Sequence, residues 1–186
     1  MRVISLFVLV ACARAPSHSL RVATTGTTMP FELPRATITF APQAPIEREA
    51  LAVVNRYRAL AGVSPIGVDA SLGSGCVEHA SYLWLNRGKR EIAGLRAHDQ
   101  VLSLPGATPA GARCGKSAVI HFAARTASDA VQAWMGTLYH RAPIVSPYVD
   151  RIGIGAAGSD RMAVAMSFAI RRVEHAWPVA FPADGQ

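Results

Sequence analysis

The chain has 186 residues, 51% hydrophobic and 17% charged, enough apolar material for one packed domain and the wrong balance for a disordered chain. Its formal net charge is +7, with Lys89 and Lys116 the only lysines among 19 basic residues. That balance suits anionic lipid headgroups or polyanionic envelope polymers, as well as an ordinary solvated surface. The arginines form no run and no aromatic-interleaved patch, which argues against nucleic-acid binding.

Residues 1–15 read as an export segment: Arg2 supplies the charge, and residues 3–10 form an apolar core too short to span a bilayer. Leu9-Val10-Ala11-Cys12 resembles the bacterial lipobox. It implies a signal peptide over 1–11, acylation of Cys12 and attachment to a membrane of the cell envelope, held stably only by more than one acyl chain. Cleavage after Ala15 and simple secretion is the alternative, against which Pro16 stands immediately downstream. Export allows Cys76 and Cys114 to pair, for roughly 3–4 kcal/mol if unstrained; two buried free thiols are the other possibility.

Residues 12–44 are rich in Pro, Ser, Thr and Ala and read as a tether, with 36–40 able to add an edge strand. The domain proper is expected over 45–172. A first helix starts at Pro45, with Glu47 and Glu49 near its positive end; Ile46, Ala50, Val53, Val54, Tyr57, Leu60 and Ala61 make its apolar face, and Gly62 stops it. Asp69 caps a second helix running toward Gly88, with Leu72, Cys76, His79, Ala80 and Leu83 on one side; Gly73 and Gly75 weaken its first turns. His79 on that apolar face reads as a hydrogen-bonded core residue.

Residues 89–112, with Gly94, Pro105, Gly106, Pro109 and Gly111, read as loop and contain His98 and Asp99. Gly115-Lys116-Ser117 invites comparison with a phosphate loop, but position 110 is Ala110 where that motif needs glycine. Residues 117–122 also read as a strand, whereas a phosphate loop feeds a helix, so nucleotide binding is a poor reading. Residues 130–139 form an amphipathic helix packed through Trp134 and capped by Ser128, with Asp129 near its positive end. Pro143 and Pro147 then exclude helix, which places His140 and Arg141 where a helix hands over to a loop. Residues 151–157 alternate Ile152 and Ile154 with glycines as a strand, and 161–172 should pair with it as a hairpin. Residues 173–186, with Trp177, Pro178, Phe181 and Pro182, are a tail that either packs back on the sheet or begins a linker.

Trp134, then His140-Arg141, then Gly153-Ile154-Gly155, with Asn55 and Arg58 in the opening helix, resembles the CAP superfamily in its bacterial form. That superfamily comprises cysteine-rich secretory proteins, antigen 5 and pathogenesis-related proteins, and the resemblance covers about residues 46–170. It implies an α+β fold, a three-layer α-β-α sandwich with a small, mostly antiparallel sheet, and an Asn55 that braces the neighbouring chain. His79 in Glu78-His79-Ala80 looks like the family's His-Ala pair. The resemblance further implies a cleft of two histidines and two acidic residues able to hold a divalent metal, the histidines matching His98 and His140. Four departures stand out: Tyr139 replaces Gly, Pro143 replaces Asn, and Lys116 and Thr137 replace the two glutamates.

Asp99 is the one adjacent carboxylate that could complete a zinc set with His98 and His140. No residue stands in a nucleophile elbow, and no catalytic residue is identified. The expected function is therefore an exported, envelope-attached and non-enzymatic domain with a degenerate metal site. Through a cleft of His98, Lys116, Thr137 and His140 it would bind a small apolar or anionic ligand, such as a lipid, or a partner protein. A metal-assisted hydrolase of peptide or envelope material using His98 and His140 is the alternative, and a structural spacer the third reading.

Overall fold

The computed structural model describes residues 43–171 together with Val179 and Phe181. The export segment with Cys12, the tether with its edge strand, and Trp177, Pro178 and Pro182 lie outside the described residues. Helix α1 (Gln43–Leu60) begins two residues before Pro45, so no acidic residue falls in its first turn. Ile46, Ala50, Val54 and Ala61 are buried along it. It stops as expected at Gly62, whose φ of +69° lets the chain reverse while Val63 N–H returns to the Arg58 carbonyl at 3.0 Å. Strand β1 (Gly67–Val68) follows, and Asn55 fixes its approach: Oδ1 accepts from Ile66 N–H at 2.9 Å and Nδ2 donates to the Ile66 carbonyl at 3.0 Å. The brace implied by the family resemblance is present.

Helix α2 (Ala70–Leu85) is capped by Asp69, which accepts from Ser71 N–H and Leu72 N–H at 2.9 and 3.0 Å. The stretch expected to be loop contains two 3₁₀ turns, Arg90–Ile92 and Gly94–His98, and then a full helix, α3 (Pro109–Ser117). Here the loop expectation is corrected, and the strand expected over 117–122 begins two residues later, after the helix. Thr108 accepts from Gly111 N–H at 3.0 Å, Pro109 opens the first turn, and Lys116 lies in the last turn of a helix rather than in a strand. Strand β2 (Val119–Ala124) follows, with an irregular register between His121 and Ala124. Ala123 sits there at φ +63°.

Helix α4 (Ala127–Met135) is capped by Thr126, not Ser128. Thr126 and Asp129 satisfy each other's amides reciprocally, at 3.0 and 3.2 Å, and the Ser128 amide instead donates to Glu49 of α1 at 2.9 Å. A second correction follows: His140, Arg141 and Pro143 lie within a short helix, α5 (Leu138–Ile144). Pro143 removes the donor for the Tyr139 carbonyl, on a residue 88% exposed where water can serve it. The flanking bonds, Arg141 N–H to the Thr137 carbonyl and Val145 N–H to the Arg141 carbonyl, remain at 3.0 and 3.1 Å.

Strands β3 (Val149–Gly158) and β4 (Met162–Ile170) form the expected antiparallel hairpin at the centre of a sheet ordered β1-β3-β4-β2, in which only β1 runs parallel to its neighbour. Helices α1, α4 and α5 cover one face, and α2 and α3 the other, so the fold is an α-β-α sandwich. On the α1/α4 side Ile152, Ile154, Met162, Val164 and Met166 build the main core around Trp134. The α2/α3 side is made of Gly153, Gly155, Ala163 and Ala165. A Cβ on Gly155 would lie 2.0 Å from the Val77 amide nitrogen, so glycine is required for the helix to approach this closely. Cys76 and Cys114 are disulfide-bonded, with Cα atoms 5.3 Å apart, and tie α2 to α3. Beyond the sheet, Val179 and Phe181 pack against the main core, and Phe181 meets Tyr57 of α1 edge-on, ring centroids 6.0 Å apart.

Candidate functional site

Three elements distant in sequence converge on one side of the molecule: the 3₁₀ turn ending at His98, the C-terminus of α3, and α5. What holds α5 there is Arg58, a residue 1% exposed in the middle of the apolar stripe of α1. Its guanidinium donates to the carbonyls of Ser64, Ile144, Ser146 and Val149 at 2.8, 2.8, 2.9 and 3.1 Å, closing the exits of α1 and α5 and the start of β3 at once. Burial lowers its pKa. The sequence reading gave Arg58 no role beyond its family match. The signal was its place on the buried row Ala50, Val54, Arg58, Ala61, where an unpaired charge would be untenable.

His79 performs the equivalent task for the 3₁₀ turn. It is fully buried, as a core histidine should be, with Nε2–H donating to the Ala97 carbonyl at 3.0 Å and Nδ1 accepting from Gln100 Nε2 at 3.1 Å. Gln100 Oε1 in turn accepts from Thr108 N–H at 2.7 Å, and the Thr108 hydroxyl bonds to Glu78. Burial pushes the His79 pKa down to about 4; the Ala97 bond opposes the shift and the nearby charge of His98 adds to it. His79 is thus a neutral strut. A Cβ on Gly115 would lie 2.4 Å from its Cε1 and 2.7 Å from the His98 carbonyl oxygen, which is why α3 carries glycine where it crosses this pair.

His98, Lys116 and His140 line one cleft of about 790 Å³. His98 Nδ1–H donates to the Gly115 carbonyl at 2.9 Å, which turns Nε2 outward as the free nitrogen. His140 Nδ1 bonds to Thr137 Oγ1 at 2.7 Å, and that hydroxyl also donates to the Trp134 carbonyl at 3.3 Å. Thr137 therefore orients His140 and is not itself part of the lining. The walls, absent from the sequence reading, are apolar: Leu95, Val149, Phe168 and Ile170, with Tyr139 and Pro143 from α5.

The carboxylate expected to complete a metal set does not join the histidines. Asp99 is exposed, leaves the 3₁₀ turn in extended backbone and lies outside the lining. Among the described residues no Asp or Glu lines the cleft, and no three His, Cys, Asp or Glu side chains gather where they could hold a metal ion. Two imidazoles beside an ammonium do not fit a divalent cation, whose sites are built from at least three donors with compensating negative charge. The same set fits an anion: Lys116 brings a full charge, and each imidazole adds a donor when protonated.

The sandwich is that of a CAP-type domain. The chain belongs to the cysteine-rich secretory protein family (CAP), whose family model matches residues 51–167. Among solved structures it is similar to an outer surface protein of Borrelia burgdorferi, with 15% identity and a TM-score of 0.52 over 72% of this chain and 99% of that one. It is also similar to an extracellular protein containing an SCP domain from Bacillus anthracis, at 19% identity and a TM-score of 0.47 over 69% of this chain. A cysteine-rich secretory protein of Staphylococcus aureus matches at 14% identity and a TM-score of 0.44 over 73% of this chain. The chain spans 41% and 40% of the lengths of the Bacillus and Staphylococcus proteins. No curated protein sequence matches it.

Proposed function

We propose that this is an exported, envelope-attached binding domain whose cleft takes an amphipathic anion: an apolar body with one carboxylate or phosphate, such as a fatty acid or a lysophospholipid. The observation that carries this reading is the composition of the cleft wall among the described residues, apolar apart from Lys116, His98, His140, two serines and the Tyr139 hydroxyl, with no carboxylate. An apolar body gains by leaving water against Leu95, Val149, Phe168 and Ile170, and its charged end finds Lys116. Export is supported by the lipobox-like run ending at Cys12 and by the Cys76–Cys114 disulfide, which suits an oxidising compartment.

The test compares a fluorescent long-chain fatty acid with its uncharged methyl ester. The acid should bind more tightly, and Lys116→Glu should weaken it about tenfold, ~1.4 kcal/mol, while leaving the ester nearly unchanged. Equal affinity of acid and ester for the parent protein would overturn the anionic part of the reading, and failure of both to bind would overturn the whole.

A further inference from the structure

The cleft's mouth carries three of the four most exposed large apolar side chains among the described residues. Tyr139, Leu95 and Ile170 are 88%, 86% and 77% exposed, on three different elements, and all three line the same cleft. Single exposed apolar residues need no explanation, but three around one opening form a patch. Each is followed in sequence by positive charge: Leu95 by Arg96, Tyr139 by His140-Arg141, and Ile170 by Arg171. Lys116 stands within the mouth, and among the described residues no carboxylate lines it. Of the arginines, Arg171 is shared with Asp150 at 3.6 Å, Arg96 Nε donates to the Arg90 carbonyl at 2.9 Å and Arg141 lies over the Phe181 ring, so among the described residues Lys116 is the cation that lines the mouth itself.

We infer that this rim is a docking surface for an anionic lipid bilayer, with Leu95, Tyr139 and Ile170 entering the interface and Lys116 meeting headgroups. Exposed apolar side chains around a mouth that also holds Lys116, on a chain of net charge +7, match the layering of an anionic membrane surface, where charge and apolar depth lie within one Debye length, about 8–10 Å. A second copy of this chain fits the rim poorly, because two chains of net charge +7, each with Lys116 at its mouth, would face like charge with like. The tyrosine belongs to the residue types that favour the boundary between headgroup and acyl chain. The docking inference goes beyond the cleft's ligand and does not require that reading to hold.

The experiment uses the full chain carrying Cys12→Ser, which removes any acyl anchor, and vesicles of phosphatidylcholine with or without phosphatidylglycerol. The protein should sediment with phosphatidylglycerol vesicles, at least tenfold more tightly than with phosphatidylcholine alone. Leu95→Ser, Tyr139→Ser and Ile170→Ser combined should weaken this at least tenfold, whereas Leu102→Ser, 82% exposed but outside the cleft lining, should not. A second measurement places the rim itself: Tyr139→Trp fluorescence should be quenched by lipids brominated on the acyl chain, above the quenching of the parent's own tryptophans. Vesicle binding without that extra quenching, binding to a protein partner but not to vesicles, or a triple variant that sediments like the parent would each overturn the inference. Fatty-acid binding in the absence of vesicles reports on the cleft alone, so either proposal can fail without the other.

Discussion

The two faces of the central sheet are built on opposite rules. Toward α1 and α4, strands β3 and β4 present Ile152, Ile154, Met162, Val164 and Met166, and the gap between layers is filled by side-chain volume. Toward α2 and α3 the same strands present Gly153, Gly155, Ala163 and Ala165, and the layers approach until backbone nearly meets backbone. The first face obtains its cohesion from buried apolar area and can lose a methylene at moderate cost. The second works as a fixed spacer. It sets the position of α2, hence of His79, and through His79 and Gly115 the position of His98 and α3 beside the cleft. A binding site with only two or three polar groups needs such a rigid back wall, since a shift of about 0.5–1 Å already spoils its geometry.

The largest break in this comparison should come from a single methyl group on the close-packed face. Gly155→Ala places a Cβ 2.0 Å from the Val77 amide nitrogen and 2.2 Å from the Cys76 carbonyl carbon, with backbone on both sides and nothing able to rotate away. A loss above about 4 kcal/mol is expected, beyond the usual range for overpacking, and denaturant titration should find no cooperative native state at 37 °C. A variant with an ordinary transition would mean that α2 can slide along the sheet. Next in size is removal of the disulfide that pins α3 to α2. Cys76→Ala with Cys114→Ala should lower stability by about 3–4 kcal/mol while leaving the α1/α4 core cooperative.

How far these features could be read in advance depends on whether their cause is local. Asp69, Gly62 and the Ile152/Ile154 alternation act on their own neighbours, and the helix cap, the helix stop and the hairpin were legible from them. Helix α3 was not, because Gly111 and Gly115 lower helix propensity and yet are demanded by contacts across the fold: Gly115 faces His79 and His98, which lie 36 and 17 positions away in sequence. Pro143 misled in the same way over α5, its missing hydrogen bond falling on Tyr139, an exposed residue. At the site, the family resemblance pointed to His98, His140 and the lysine that replaces an acid, and all three line one cleft. The apolar wall from Leu95, Phe168 and Ile170, and the four-carbonyl grip of Arg58, carry no periodicity that a sequence displays.

A smaller effect tests the strut. His79 has a folded pKa near 4 against an ordinary 6.5, so the unfolded chain binds a proton that the folded one refuses. Its contribution is complete above pH 6.5 and is lost as pH falls from 6.5 toward 4, by about 3 kcal/mol in total. Chemical denaturation across that window should show stability dropping with acid, and His79→Gln, although less stable at pH 7, should show a flatter slope. An unchanged slope would assign the acid sensitivity to other groups.

The smallest prediction sharpens the comparison most, because it concerns another glycine at the same interface. Gly73 sits one turn into α2, where glycine costs a helix about 1 kcal/mol relative to alanine. A Cβ there would lie 3.1 Å from Glu47 Oε1 and 3.7 Å from the Ile154 carbonyl oxygen. The first is the tip of a side chain that can swing aside, and the second is ordinary contact. Gly73→Ala should therefore be neutral or stabilising by up to about 1 kcal/mol in thermal unfolding. Closeness at this face would then be a property of the strand glycines, whose side-chain direction points straight at the helix backbone, and not of every small residue between the layers. Destabilisation by more than about 1 kcal/mol would show instead that Glu47 is locked, and that the spacer extends past the sheet to α1.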